Sequence, residues 1–260
     1  MTSISSVAES DASTPLPDAR MEIEHAGSRM RFFTPNKTTR WRVESLLTKE
    51  PDTIEWIAGF ERGDVLFDVG ANVGMYSILS AATRGAKVYA FEPEAQNYAI
   101  LNTNILINSL HELVTAYCLA VADDFRVDYL NLSYFDPGGS LHNFGEARDY
   151  QDRPREAMFR QGSIGVSLDR LIGLWGLQPP NHLKIDVDGI EPKIISGAKE
   201  LLKDKRLRSV LIEINTNLDE HWAIIDVMLE SGFDYSQEQV ARAQRQEGPF
   251  KGIGNYVFRR

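Results

Sequence analysis

Several acidic residues each close a short apolar run, and they carry most of the chemistry legible in this chain. Asp68 follows Val65-Leu66-Phe67 and opens D-V-G-A-N-V-G; Glu92 follows Lys87–Phe91 and precedes Pro93; Asp186 and Asp188 close His182–Ile185 in D-V-D-G. Runs of this kind read as strands buried on both faces. Ligands of open α/β sheets bind off the carboxyl ends of such strands. These carboxylates are therefore expected along one edge of a parallel sheet.

After Asp68 come Gly70, Ala71, Asn72 and Gly74, then the helix-like Met75-Tyr76-Ser77-Ile78-Leu79. A glycine turn between strand and helix lets a ligand approach the backbone and aims the helix N-terminus at it. A dinucleotide would need G-x-G-x-x-G. Here Asn72 holds the second glycine position and Met75 the third. Asp68 would also repel a pyrophosphate, whereas it would attract an ammonium and a sulfonium. S-adenosylmethionine (SAM) carries both. A plain loop glycine pair is the alternative for this stretch alone. Glu92 lies about twenty residues beyond Gly70, where an acidic residue accepts hydrogen bonds from ribose hydroxyls. It can also cap a helix starting at Pro93.

The ordered motifs D-V-G-A-N-V-G, A-F-E-P-E-A-Q-N-Y and L-K-I-D-V-D-G-I-E resemble the FkbM family of SAM-dependent methyltransferases, over about Val65 to Asn215. The resemblance implies a Rossmann-like α/β fold of seven strands, mostly parallel, with the last strand antiparallel. It also implies that Leu119–Val121, Ala120 among them, line the adenine. The expected cofactor set is Asp68, Gly70, Ala71, Asn72, Gly74, Glu92, Ala120 and Asp186. The expected reaction is SAM-dependent O-methylation of a sugar or other small molecule. A non-catalytic SAM-binding module and a nicotinamide-dependent oxidoreductase are the alternatives.

Methyl transfer from a sulfonium is an in-line displacement, so the protein must align the reactants and help the acceptor lose a proton. Base candidates are Asp186, Asp188, Glu191, His182 and His142. Asp186 and Asp188 lead, with capping of the helix after Gly189 as their alternative; His142 qualifies if a loop carries it over the acceptor. The [N/D]-P-P-[Y/F] run of amino-methylating nucleic-acid enzymes is replaced here by D-V-D-G, which favours an oxygen acceptor. Metal-free base catalysis on Asp186 is expected. If Mg²⁺ is used instead, Asp186, Glu213 and Asn215 are its ligands, with Asp188 nearby; hard oxygens suit it.

Alternating strand and helix patterns from Asp64 onward supply the frame for these groups. Strands are expected at Val65–Phe67, Lys87–Phe91, Leu113–Val121, His182–Val187 and Ser209–Ile214. Helices are expected at Met75–Arg84, Ala95–Asn108, Leu168–Leu177, Ile190–Lys203 and Glu220–Glu230. Phe233–Tyr235 and Tyr256–Arg259 read as an antiparallel pair. Arg126–Tyr134 alternates as a half-buried strand does, and Ser163–Ser167 is a further short strand. Between them, Asp136–Gln161 reads as a lid over the acceptor. It holds Gly138, Gly139, His142, Asn143, Phe144, Tyr150, Arg153, Arg155 and Arg160.

The chain divides into a disordered tail over 1–20, a prelude over 21–60 and a SAM-binding domain over 61–260. The prelude holds a short strand pair at Met21–Phe33 and helices from Thr38 to Phe60, the second starting at Pro51. It is expected to pack on the sheet, with covering the cofactor as the alternative. The formal net charge of -9 argues against a nucleic-acid partner. No apolar run is long enough to span a membrane, and no secretory signal is legible. The single cysteine, Cys118, is compatible with a reducing cytoplasm.

Overall fold

The computed structural model describes residues 19–149 and 151–260. The tail expected over 1–20 lies outside the described residues as far as residue 18, and so does Tyr150. The described chain opens with the expected hairpin, β1 (Arg20–His25) and β2 (Ser28–Phe33), followed by α1 (Lys37–Ser45) and α2 (Pro51–Ala58). Asn36 caps α1 by accepting from the Thr39 amide, and Pro51 stands at the start of α2, where its missing N–H costs nothing. Then come β3 (Val65–Val69), α3 (Met75–Arg84), β4 (Lys87–Phe91), α4 (Ala95–Ile107) and β5 (Val114–Tyr117). A smaller unit follows: β6 (Ala120–Val121), β7 (Arg126–Leu132), β8 (Asn143–Phe144) and β9 (Phe159–Val166). The chain returns through α5 (Leu168–Gly173), β10 (His182–Ile185), α6 (Glu191–Ser196), β11 (Ser209–Asn215) and α7 (Asp219–Glu230). It ends with β12 (Asp234–Tyr235), α8 (Gln237–Ala243) and β13 (Ile253–Arg259).

The main sheet has the seven strands expected, and they lie in the order β12-β13-β11-β10-β3-β4-β5. β3, β4, β5, β10 and β11 are parallel, and β13 runs antiparallel to both β11 and β12. Period-two alternation sorts side chains onto two cores. Val65, Phe67 and Val69 join Leu183, Ile185 and Ile212 on one face; Leu66 joins Val88, Ile78 and Trp56 on the other. The prelude closes this second face. Asn104 on α4 accepts from the Phe33 amide at 2.7 Å and donates to the Val73 carbonyl at 2.7 Å, tying hairpin, helix and glycine turn together.

Several boundaries differ from the sequence reading. The third strand does not run through to Val121: it stops at Tyr117, and Ala120–Val121 pairs in parallel with β9 in a second, four-stranded sheet, β6-β9-β7-β8. Asp136–Gln161 is not one loop. Asn143-Phe144 pairs with β7, and β9 begins at Phe159, so both ends of the stretch are fixed by strand pairing. The helix from Ile190 ends at Ser196, because Gly197 packs so tightly on the carbonyls of Ala122 and Asp123 that a Cβ has no room; Leu201–Lys203 is a separate tight turn. Helix α8 has too few apolar positions to announce itself; Ser236 caps it by accepting from the Gln239 amide.

Candidate active site

Strand-end geometry assembles the site. The turn after β3 holds Gly70 and Asn72 in left-handed conformations, φ 80° and 50°. Gly70 is obligatory on two counts: its φ disfavours L side chains, and a Cβ there would run into the Asp186 carbonyl. The glycine turn and the D-V-D-G loop therefore touch through bare backbone. Glu92 fixes the turn from the next strand. Its Oε2 accepts from the Asn72 amide at 2.8 Å and its Oε1 from the Glu94 amide at 2.9 Å. Burial raises its pKa to about 7. Helix α4 is capped by Glu94 rather than Glu92, through the Gln96 and Asn97 amides.

A cavity of about 380 Å³ opens where these loops meet. Gly70 and Asn72 line it from the glycine turn, and Asp186, Asp188, Gly189 and Glu191 from the D-V-D-G stretch. Glu213 and Asn215 come from β11, His221 from α7, and Arg245, Phe250 and Ile253 from the approach to β13. Trp41, Arg42 and Lys49 of the prelude complete it, with Ser140 and Leu141 of the inserted segment. A smaller adjoining recess of about 60 Å³ adds Ala71, Met75, Tyr76, Glu50 and Lys184. The prelude thus does more than pack: α2 buries Trp56 and Ile57, whereas α1 faces the cavity.

The charges are arranged in order. Lys184, 1 % exposed, donates to Asp186 Oδ2 at 2.7 Å and lies 5.1 Å from the centre of the Tyr76 ring. Burial opposes its charge, but Asp186, Asp68 and Glu50 hold its pKa above the ordinary lysine value. Burial likewise opposes charge on Asp186, yet Lys184, Lys49 and Arg42 hold that carboxyl down at about 2. Asp188 sits at φ 63° and accepts from the Leu141 amide at 2.6 Å. Burial, reinforced by Asp186, raises its pKa. Glu213 is raised well above the ordinary range by burial, Asp186 and Asp188, despite a 3.2 Å contact from Arg245. Burial raises Glu191 to about 8; its oxygens accept from the Val187 and Gly189 amides and shape the loop.

The inserted segment is docked over the glycine turn. Asn72 Nδ2 donates to the Gly139 carbonyl at 2.7 Å, and the Gly138 amide donates to Asn97 Oδ1 at 2.7 Å. Asn36 holds the Pro137 carbonyl and Arg42 the Gly138 carbonyl. With Leu141 on Asp188, residues 137–141 bridge the prelude, the turn, α4 and the D-V-D-G loop.

The residues fit SAM. A strand-end acid, Asp68, keeps Oδ1 buried with no hydrogen-bond partner among the described residues, while Oδ2 accepts from Ser77 at 2.6 Å. A glycine cradle admits close backbone contact, and the cavity carries both anionic and cationic walls.

The model of the Methyltransferase FkbM domain family matches residues 68–235. The chain belongs to this family. Hexuronic acid methyltransferase AglP of Haloferax volcanii is 24% identical over 202 residues, which is 76% of this chain and 76% of that protein. 31-O-demethyl-FK506 methyltransferase FkbM of Streptomyces tacrolimicus is 28% identical over 198 residues, 68% of this chain and 75% of that protein. The crystal structure of methyltransferase FkbM from Methylobacillus flagellatus shares the fold, with a TM-score of 0.50 at 14% identity, covering 86% of this chain and 55% of that one.

In this FkbM-family chain the expected cofactor residues divide. Gly70, Asn72 and Asp186 line the cavity and Ala71 the recess. Asp68, Glu92 and Ala120 are buried behind them, and Gly74 caps α3. Ala120 belongs to the small-sheet core with Leu130 and Phe144. Of the base candidates, His182 lies at the opposite end of β10, bridging Asp64 and Ser209 and stacked on Phe60, so it is structural. His142 is enclosed in the insert; its Nδ1 accepts from the Ser133 amide, and it does not line the cavity. Asp186, Glu213 and Asn215, the metal set considered, do share the cavity. Lys184 and Arg245 already pair with the two carboxylates, and Asn215 Oδ1 accepts from Asn217. Among the described residues no group of 3 or more His, Cys, Asp or Glu is placed to hold a metal ion, and no helix is long and apolar enough to cross a membrane.

Sequence reasoning missed Lys184, His221, Arg245 and the α1 residues. For Lys184 a signal existed: a lysine two positions before Asp186 in a strand must share its face. The others sit outside any motif.

Proposed function

We propose that this chain is a SAM-dependent O-methyltransferase whose acceptor is a hydroxyl of a sugar or other small molecule. The observation that carries this reading is the cavity bounded by Gly70 and Asn72 on one side and Asp186 and Asp188 on the other. When bound, SAM supplies an electrophilic methyl group on a sulfonium. The chain's own residues do the rest. Asp186, kept ionised by Lys184, provides a fixed negative charge beside the glycine turn. Its low proton affinity makes it a poor base, so the role expected of Asp186 passes to Asp188. That carboxyl has a raised pKa, better matched to neutral pH. It holds the Leu141 amide with Oδ2, leaving Oδ1 to accept the hydroxyl proton. His221 accepts the Asn215 amide on Nδ1 at 3.2 Å, so its neutral ring carries the proton on Nε2. That N–H suits a polyol oxygen. Residues 137–141 exclude water from the reacting centre.

The names of the relatives support hydroxyl-bearing acceptors, a hexuronic acid for AglP and a demethylated FK506 for FkbM. The test is incubation with methyl-labelled SAM and a panel of hexuronates, neutral sugars and polyketide alcohols, with the product's new methyl located by NMR. A methyl ether supports the reading. Label found only on nitrogen or carbon would overturn it.

A further inference from the structure

The glycine turn and the D-V-D-G loop build one side of the cavity. The facing side comes from chain that precedes the family match. Arg42 on α1 and Lys49 in the turn after it line both the cavity and the adjoining recess. Arg42 is fixed by its Nε, which donates to the Gly138 carbonyl at 2.7 Å. Its terminal nitrogens have no hydrogen-bond acceptor among the described residues. Lys49 contacts Glu50 at 2.9 Å and lies 5.9 Å from the centre of the Trp41 ring, with donor capacity left over. A guanidinium anchored by one nitrogen and open at its fork matches a carboxylate.

Polarity and position say which carboxylate. Arg42 and Lys49 are both felt electrostatically by Asp186 and by Asp188 across the cavity. A positive side thus faces a negative one, which is the complement of an amino-acid zwitterion. The recess that Arg42 and Lys49 share abuts Gly70, Met75 and Tyr76, at the glycine turn. Glu213, Asn215 and Phe250 line only the larger cavity. A carboxylate on the methyl acceptor would enter from that other end.

Resting on the SAM reading above, we propose that Arg42 and Lys49 clamp the carboxylate at the methionine end of SAM.

Calorimetry with SAM and with decarboxylated SAM, which lacks only that carboxylate, tests it. Wild-type protein is expected to prefer SAM by roughly ten- to a hundredfold, the range for a hydrogen bond between charged groups. Lys49→Gln is expected to weaken SAM and leave the decarboxylated compound unchanged; Arg42→Gln, which also loses the Gly138 contact, is expected to weaken SAM more than the decarboxylated compound. Arg42→Lys, which keeps the charge but not the fork, should fall between. If the wild-type protein binds neither compound, the SAM reading falls and the clamp with it. If it binds both equally, or if either glutamine variant binds SAM as the wild type does, the clamp is overturned and the SAM reading stands. Equal weakening of both compounds would mark a structural role and also overturn it. Hexuronate titrated into protein loaded with S-adenosylhomocysteine tests the acceptor as the source. Hexuronate binding lost in Arg42→Gln, with SAM affinity intact, would overturn the assignment to the cofactor.

Discussion

Lys184, within β10, and Asp186, just past its end, share one face of the sheet and are joined by a 2.7 Å ion pair. The neighbouring strand places Asp68 directly beside Lys184 in register. One buried cation therefore serves the acids that close two different strands. Removing it should leave Asp68 and Asp186 as uncompensated charges. Lys184→Met is expected to lower stability by about 3–5 kcal/mol, as breaking a buried pair does. Urea unfolding measures this. A loss under about 1 kcal/mol, the value of an exposed pair, would mean the cation is dispensable.

Asp188→Asn preserves an oxygen for the Leu141 amide but cannot take a proton. Turnover is expected to fall by roughly two to four decades with SAM affinity intact. In the wild type, activity should rise with pH through the raised pKa of Asp188, and that limb should vanish in the variant. Turnover should be unchanged by EDTA. Activity lost in EDTA and restored by Mg²⁺ would shift the proton-accepting role to a metal-bound oxygen.

Asn72 couples the glycine turn to the lid through the Gly139 carbonyl. Asn72→Gly keeps the left-handed backbone and removes the tether, together with the local contact between Asn72 Oδ1 and the Val73 amide. Amide exchange at 138–141 should speed up, and S-adenosylhomocysteine should dissociate faster, with global stability changed by less than about 1 kcal/mol. Unaltered exchange in the variant would show that the segment is held without this tie.

His142, His182 and His221 are each lowered to about 4 from 6.5, with burial the first cause. Above pH 6.5 they are neutral in both states, and their contribution to stability is fully present. As the pH falls toward 4, the unfolded chain takes up protons that the folded one refuses, and stability is lost. His182→Gln should flatten that slope, by on the order of 1–3 kcal/mol at pH 4. Thermal melts from pH 8 to 4 give the measurement. An unchanged slope in His182→Gln would show that His182 titrates alike in both states.

Motifs that sit at strand ends could be read directly, because strand period and glycine chemistry fix where Gly70, Asn72 and Asp186 must lie. The seven-stranded, mostly parallel sheet with its last strand antiparallel follows from the resemblance and from strand–helix alternation; the order of its strands does not. What escaped was set by tertiary context. Ala120 left the main sheet because β9, far along the chain, offered it a partner. His182 is an exception: the run His182–Val187 already puts it at the amino end of its strand, away from the ligand edge, and that signal excludes it as a base. Lys184 is a second exception: two positions before Asp186 on one strand face, it already marks Asp186 as a paired carboxylate of low proton affinity and so a poor base. Arg42 on α1 and Lys49 in the turn after it belong to a stretch whose sequence shows no chemistry until the sheet is in place beneath it.

SAM is expected in the cavity between the glycine turn and D-V-D-G. Calorimetry of S-adenosylhomocysteine and NADH with the wild type and Asp186→Asn tests it most directly. Saturable binding of S-adenosylhomocysteine to the wild type, no binding of NADH, and roughly tenfold or greater weakening in Asp186→Asn are expected. NADH binding more tightly than S-adenosylhomocysteine, or Asp186→Asn binding S-adenosylhomocysteine as the wild type does, would contradict it.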